Sequence, residues 1–560
     1  MECKQKLHFI SVATPVPASP FDDEIVLFDA VSAAPDAIPT IFAFPNAYTI
    51  GITSLGYQVV WATLAGRQDL DVARLFMDAQ ESLPSSPELL GFSLSWELDY
   101  ANVLTLLERL GIPRKSGDRT VQDPIIFGGG PVLTGNPEPF ADFFDVILLG
   151  DGEVILDKFI DAYQELRGES RQAQLEKLAQ IPGLYVPQLY TVEYTASDGP
   201  IAAIRPISDT LPETVTKQTH RGNTLSASTV VTPQAAWENI FMVETVRSCP
   251  EMCRFCLASY LTLPFRTADL EQSLIPAIDR GFAITNRIGL LGASVTQHPE
   301  FDTLIDRLAS PTYDGMRLSV SSVRANTITE IFARVHCQRD SRSVTIAVES
   351  GSQRIRNIIN KKLETDEIIA AAQQAKAGGL KAMKLYGMAG LPEETDDDLQ
   401  ETVDLMLRLK KTAPGLKLTL GCSTFVPKSH TPFQWFGVNP ESQKRLKFLQ
   451  KKLRSKGIDF RPESYKWSIV QALISRGDRR LTPLLEKVRE YGMGNTDNPD
   501  HISTGTYRRA FKDLKGTLPP LDYYVHRNWD LDEVLPWQHL QGPISLPALQ
   551  KHREVAIAQA

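Results

Sequence analysis

Three of the chain's six cysteines, Cys249, Cys253 and Cys256, fall within eight residues as CxxxCxxC, in the stretch VRSCPEMCRFCLASY (Val246–Tyr260). Thiolates are soft ligands that suit zinc or an iron–sulfur cluster. A structural zinc site normally closes a tetrahedron with four ligands. No further Cys or His stands close by, and no second CxxC completes the zinc-ribbon half that Cys253 and Cys256 imitate. Three thiolates instead suit a cubane cluster with one iron left open to a substrate or cofactor. The remaining cysteines, Cys3, Cys337 and Cys422, are scattered, and six in 560 residues do not make a disulfide framework. The cluster therefore points to metal or redox chemistry in a reducing compartment.

The cysteines follow a predicted strand, IFMVETV, that opens a series of strand–helix units. Its further strands are RIGLLGA, MRLSVSS, SVTIAVE, AMKLYGMAG and LKLTLGCST, with helical stretches such as TDEIIAAAQQAKAGG between them. Six such units over 236–435 predict a partial (β/α)6 barrel, in which the loops after the strands carry function. An earlier alternating series, TIFAFPNAY, LLGFSLSW, PIIFGGG and DVILLGDGE, predicts a doubly wound parallel sheet over 36–170, behind a lead-in of 1–35. Residues 171–235 read as a connector with some β structure, and 436–560 as an α-rich extension. The fold class is thus α/β throughout the first two domains.

Two glycine-rich connections follow strands of the first domain, GGGPVLTGNPEP and GDGE. Ligands of such folds sit at that carboxyl edge. Gly128, Gly129, Thr134, Gly150 and Gly152 are the candidate binding positions there. Neither loop is GxGxxG leading into a helix, so a dinucleotide fingerprint is not supported.

The net charge of −8 gives no global attraction to nucleic acid or to an anionic membrane. No apolar run is long enough to span a bilayer, and the start of the chain lacks a secretory h-region, so a cytoplasmic protein is expected. Seven Lys/Arg between Lys444 and Lys456, with no acidic residue among them, read as a solvated helix face, with an RNA or acidic-partner surface as the alternative. Leu446, Leu449 and Leu453 form that helix's apolar face.

With Phe255 in the aromatic slot before the last cysteine, the motif resembles that of the radical S-adenosylmethionine (SAM) superfamily, CxxxCxΦC. The resemblance implies a 4Fe-4S cluster on Cys249, Cys253 and Cys256 whose unique iron chelates SAM, with reductive cleavage to a 5′-deoxyadenosyl radical. AVESGS (Ala347–Ser352) resembles the segment contacting ribose and methionine, which nominates Glu349 and Ser350. LYGMAGLPEET resembles the segment near adenine, with Gly387 and Gly390 permitting close approach. SVSSVRA offers Ser321 and Arg324 for the SAM carboxylate, a guanidinium being suited to pair it. LLGAS stands where many members have an acidic Gly-Gly-Glu segment, and the acid is missing.

A doubly wound domain before such a barrel resembles the cobalamin-binding (flavodoxin-like) subgroup. That implies cobalamin as a third cofactor, with methyl transfer to an unactivated carbon or phosphorus, and a reducing donor such as flavodoxin or ferredoxin. The first strand ends FPNAYTIGITSLG, without the DxHxxG loop that supplies an axial histidine in some members. Two other readings stand beside this one. RNA methylthiotransfer needs three N-terminal cysteines, and only Cys3 precedes the motif. A non-enzymatic cobalamin or iron–sulfur sensing module would not need the SAM-facing segments. Cys422 reads as a buried apolar cysteine, with an acceptor or thiyl role as the alternative. RGDRRL and LPWQHL read as docking against the barrel.

Overall fold

The computed structural model describes residues 19–321, 323–492 and 502–559. Cys3 and the first half of the lead-in lie outside them. The first sheet comprises β1 (Ile38–Ala43), β2 (Leu70–Leu75), β3 (Leu89–Ser93), β4 (Ile125–Gly129), β5 (Val146–Leu148) and β6 (Leu184–Tyr185). Its order is β2-β1-β3-β4-β5-β6, parallel except for the antiparallel β6. The first five strands therefore have the flavodoxin-like order, whose switch point lies between β1 and β3. The helix Leu55–Ala65 covers one face, capped by Ser54, whose hydroxyl accepts from the Tyr57 amide. Strand β2 is the element that sequence reading passed over: it is the sheet's edge, and its alternating Asp71 and Val72 break the apolar run by which its neighbours are recognised.

The connector holds an antiparallel hairpin, Tyr190–Tyr194 with Ile201–Pro206, and a helix, Arg171–Leu178. Beyond it come β7 (Ile240–Glu244), β8 (Arg287–Leu291), β9 (Arg317–Val320), β10 (Ser343–Glu349), β11 (Ala382–Ala389) and β12 (Lys417–Thr424). These are the six expected strands. They form parallel sheets β7-β8-β9 and β10-β11-β12, joined among the described residues by a bridge between Val323 and Ile346. A seventh parallel strand, β13 (Asp459–Pro462), pairs with β12 and extends the open barrel by one.

Alternate residues of these strands, such as Ile346, Leu385 and Leu420, are buried in one core with the surrounding helices. Leu446, Leu449 and Leu453 of the helix Ser442–Arg454 belong to that core, and Lys444, Lys447, Lys451 and Lys452 are exposed. The remaining tail does something different. Leu473, Leu484, Tyr507, Trp529 and Trp537 share the core of the first sheet. RGDRRL and LPWQHL accordingly anchor on the first domain: Arg479 pairs with Glu138 at 2.7 Å, and His539 lies 3.4 Å from the same carboxylate. Asn136 donates to the carbonyls of Ser475 and Gly477. The apolar tail helices needed a second surface, and the first sheet supplies it. Among the described residues no helix is long and apolar enough to cross a membrane.

Candidate functional site

The cysteine loop leaves β7 through backbone turns of opposite hand, with Ser248 at φ 69° and Met252 at φ 55°. Non-glycine residues occupy this region only where the surroundings hold them. Here the hold comes from the segment after β10. Asn360 donates its amide to the carbonyls of Glu251 (3.1 Å) and Met252 (2.8 Å). The Arg254 guanidinium donates to the carbonyls of Asn357 and Ile358, and its backbone N–H to that of Ile359. Phe255 packs against the apolar group that includes Ile355, Ile358, Leu391 and Phe425. The aromatic slot thus fastens the loop from beneath.

The three thiols are free, Cys253 buried and Cys249 and Cys256 partly so. Burial pushes the Cys253 thiol up to about 12, opposed by the Lys361 ammonium and reinforced by the neighbouring Cys256, Glu349 and Cys249. Cys256 is raised for the same first reason. Such thiols become thiolates when a metal takes the proton's place. Among the described residues no three His, Cys, Asp or Glu side chains are grouped to hold a metal ion. Three soft thiolates on one short loop are nonetheless the donors a cubane takes, one iron to each. The donor set therefore fits a 4Fe-4S cluster. The Cys249 sulfur lies 3.8 Å from the Gln297 side-chain oxygen, which also accepts from Ser294.

Glu349 ends β10 at φ 65°, beside a bulge in the pairing with β11. Bulges of this kind re-aim a side chain next to a site. Its carboxylate accepts from the Lys361 ammonium at 2.9 Å. Gly387 lies alongside, where a Cβ would stand 3.3 Å from the Glu349 carbonyl. Ser350 is turned inward: its hydroxyl accepts from the Ser352 amide and its carbonyl from Arg356.

Other expected positions have structural work of their own. Arg324, expected on the SAM carboxylate, donates instead to the carbonyls of Lys361 (2.8 Å) and Lys362 and pairs with Glu251 at 3.3 Å. Ser321 donates to the Leu290 carbonyl. Gly390 has φ 82°, and a Cβ there would lie 2.0 Å from the Ser442 hydroxyl, so it seats the tail's first helix rather than a ligand. Gly128 is filled against Leu133 and Phe144, and Gly150 against the backbone of Gln218. Thr134 is buried in the short helix Pro131–Gly135. Lys361, Asn360 and Gln297 are the site residues that sequence reading left unassigned. NIINKK was legible as a motif, but nothing in it says that Lys361 turns inward while Lys362 is exposed.

At the first sheet's switch point a cavity of about 240 Å³ is lined by Phe42, Ser54, Ser93, Gly129, Gly152 and Arg247, among others. Gly129 is open toward it, since a Cβ there would meet nothing nearer than 3.8 Å. A second cavity of about 230 Å³ reaches Leu257 and Lys428. The two share Ser95 and Pro131. They reach the cysteine loop at its two ends, Arg247 before Cys249 and Leu257 after Cys256. Together they come within the 300–1,000 Å³ typical of small-molecule sites. Their walls combine hydroxyls, glycines and apolar side chains with a few charged groups, among them Asp151, Glu153 and Lys428.

A third cavity, about 340 Å³, lies in the barrel lumen between Glu349, Lys384, Tyr386, Thr419, Cys422 and Arg461. Cys422 is buried and its thiol is raised by that burial, in keeping with an apolar packing residue.

A parallel barrel with a CxxxCxxC loop after its first strand points to an enzyme class, and two family models agree. Residues 59–187 match the family of radical SAM proteins, N-terminal, and residues 243–406 match the radical SAM superfamily. The chain belongs to that superfamily, a radical SAM enzyme whose cofactors are a 4Fe-4S cluster and SAM. It is 28% identical over 448 residues to an uncharacterized protein of Methanocaldococcus jannaschii, covering 79% of this chain and 89% of that one. It is 25% identical over 271 residues to the tRNA-2-methylthio-N(6)-dimethylallyladenosine synthase of Rickettsia felis, covering 44% and 56%. Among solved structures, the cobalamin-dependent SAM radical enzyme OxsB with aqua-cobalamin and SAM bound gives a TM-score of 0.44 at 12% identity, covering 85% of this chain and 71% of that one.

Proposed function

We propose that this radical SAM enzyme binds cobalamin at the first sheet's switch point and transfers a methyl group to an unactivated position of a small substrate. The observation that carries this reading is the pair of adjoining cavities bordering both ends of the cysteine loop. When bound, the cluster supplies the electron that cleaves SAM to methionine and a 5′-deoxyadenosyl radical, and cobalamin supplies a methyl carrier.

The chain's own residues do the positioning. Cys249, Cys253 and Cys256 hold the cluster on a loop tied down by Asn360 and Arg254. Glu349, oriented by Lys361, offers hydrogen-bond acceptors to the SAM amino group or ribose, and Gly387 lets that ligand approach the strand. Gly129 and the hydroxyls of Ser54 and Ser93 line the corrin's place. The electron comes from a small reducing protein of the flavodoxin or ferredoxin kind. Methylthiotransfer to RNA would need three further cysteines for a second cluster, and within this sequence only Cys3 precedes the motif.

The test is the metal content of protein made anaerobically with cobalamin supplied. Iron with near-stoichiometric cobalt is expected. Iron without cobalt, in protein that still forms 5′-deoxyadenosine, overturns the methyl-transfer reading and leaves the enzyme class standing.

A further inference from the structure

Parallel barrels are ordinarily filled inside by layers of bulky branched side chains. Half of this barrel is not. Across β10, β11, β12 and β13 one in-register row reads Thr345, Lys384, Thr419, Asp459, and the row above reads Ala347, Tyr386, Gly421, Arg461. Several of these residues line the lumen cavity of about 340 Å³. Small residues leave the space, and two long cations, Lys384 and Arg461, and one aromatic ring, Tyr386, border it. The ring of Tyr386 lies over Gly421, where a Cβ would stand 3.2 Å from two ring carbons. Tyr386 is nonetheless 48% exposed, its free face turned to the cavity.

The wall carries two carboxylates, Glu349 and Glu463, and two cations, Lys384 and Arg461, and among the described residues none of these four pairs with another of them. Arg461 lies 2.8 Å from Asp459, and Glu349 is matched by Lys361. Lys384 is partly buried, and among the described residues no carboxylate lies within ion-pair distance of it. Its ammonium stands 5.9 Å from the Tyr386 ring centre. Glu463 is at the mouth, next to the bond from its amide to the Cys422 carbonyl. That places it three to four residues further along the strands than Lys384, roughly 10–13 Å. A half-sheltered ammonium with no internal counter-ion, in a chamber of small-ligand size, selects for an anion.

We infer that the substrate enters the lumen with an anionic group, a carboxylate or a phosphate, on Lys384 and a flat or apolar portion against Tyr386. This rests on the radical SAM reading, in which the Glu349–Gly387 end of the same chamber belongs to SAM. The anion is then the substrate's deep anchor, and its reacting carbon points back toward that end.

The experiment measures binding of benzoate, phenyl phosphate and benzyl alcohol to the reconstituted, SAM-loaded protein by titration calorimetry. At least one anion should bind ten-fold or more tightly than benzyl alcohol, and which one it is separates carboxylate from phosphate. K384M should lose that ten-fold preference and K384R should keep it. Equal affinity for all three probes, or an unchanged preference in K384M, overturns the inference. Formation of 5′-deoxyadenosine by the wild type in dithionite is read separately. Its absence, with the Lys384-dependent preference intact, would sink the radical SAM reading of the chamber and leave the anion site in place.

Discussion

The Lys361 ammonium sits 2.9 Å from a Glu349 carboxylate oxygen, both groups are buried, and Glu349 is held at a positive φ. One contact thus joins the strap that ties down the cysteine loop to the residue proposed to face SAM. Removing one partner of a buried pair leaves an uncompensated charge and costs about 3–5 kcal/mol. K361M should therefore lower the unfolding free energy by about that much and weaken SAM binding at least ten-fold. The double variant E349Q/K361M should recover most of the stability and none of the SAM affinity. Denaturant melts and equilibrium dialysis with labelled SAM check the two halves.

Replacing Cys249, Cys253 and Cys256 together by Ala should abolish iron binding and the visible charge-transfer absorbance of the anaerobically reconstituted protein. The fold should persist, because Phe255, Arg254 and Asn360 tie the loop down without the thiols. Iron analysis beside circular dichroism reads both. Iron retained at wild-type level would mean that other ligands hold it.

At Gly390 an added methyl would meet the Ser442 hydroxyl at 2.0 Å, with the Ser442 Cβ at 3.1 Å, on a backbone at φ 82°. G390A should destabilise the protein by about 1–3 kcal/mol through overpacking and strain. Pairing it with S442A relieves the shorter contact and leaves the backbone strain, so about half the loss should return. Thermal midpoints of the two variants decide this.

His430 is buried, donates from Nε2 to the Gly135 carbonyl, and is lowered by burial to about 4. In the unfolded chain the same ring takes its proton near pH ~6.5. Between those values the unfolded state binds more protons, so stability is lost as pH falls from 6.5 toward 4. His336 and His539, lowered to about 4 by burial, add to the same slope. Denaturation midpoints at pH 7 and pH 5 should differ markedly in the wild type, and the difference should shrink in H430Q.

The elements that sequence reading placed best were those with a strong period and a chemical landmark. All six barrel strands and the cysteine loop after the first of them stand where the apolar runs put them. What was not legible depended on distant partners. Arg324 has the chemistry to bind a carboxylate, yet the fold brings the carbonyls of Lys361 and Lys362 to it first. Gly390 looked like a ligand cradle because only tertiary packing reveals Ser442 against it. Strand β13 follows a long basic helix and is too short to signal itself. The lumen's open half was hidden in plain sight, since the alternation in AMKLYGMA shows Lys384 and Tyr386 on one face but not that the facing strands leave them room.

The tail's share in the first sheet's core has a consequence for how the chain is made. Leu484, Tyr507 and Trp537 pack into a core that begins at Ile38, and the whole barrel is translated in between. A ribosome therefore releases the first sheet long before the residues that finish covering it exist. The nascent domain waits with apolar surface bare while several hundred residues emerge, the circumstance in which chaperone attendance and premature association compete. Order of synthesis and order of completion run in opposite directions here, and the last helices act as the closing stitch on the first fold.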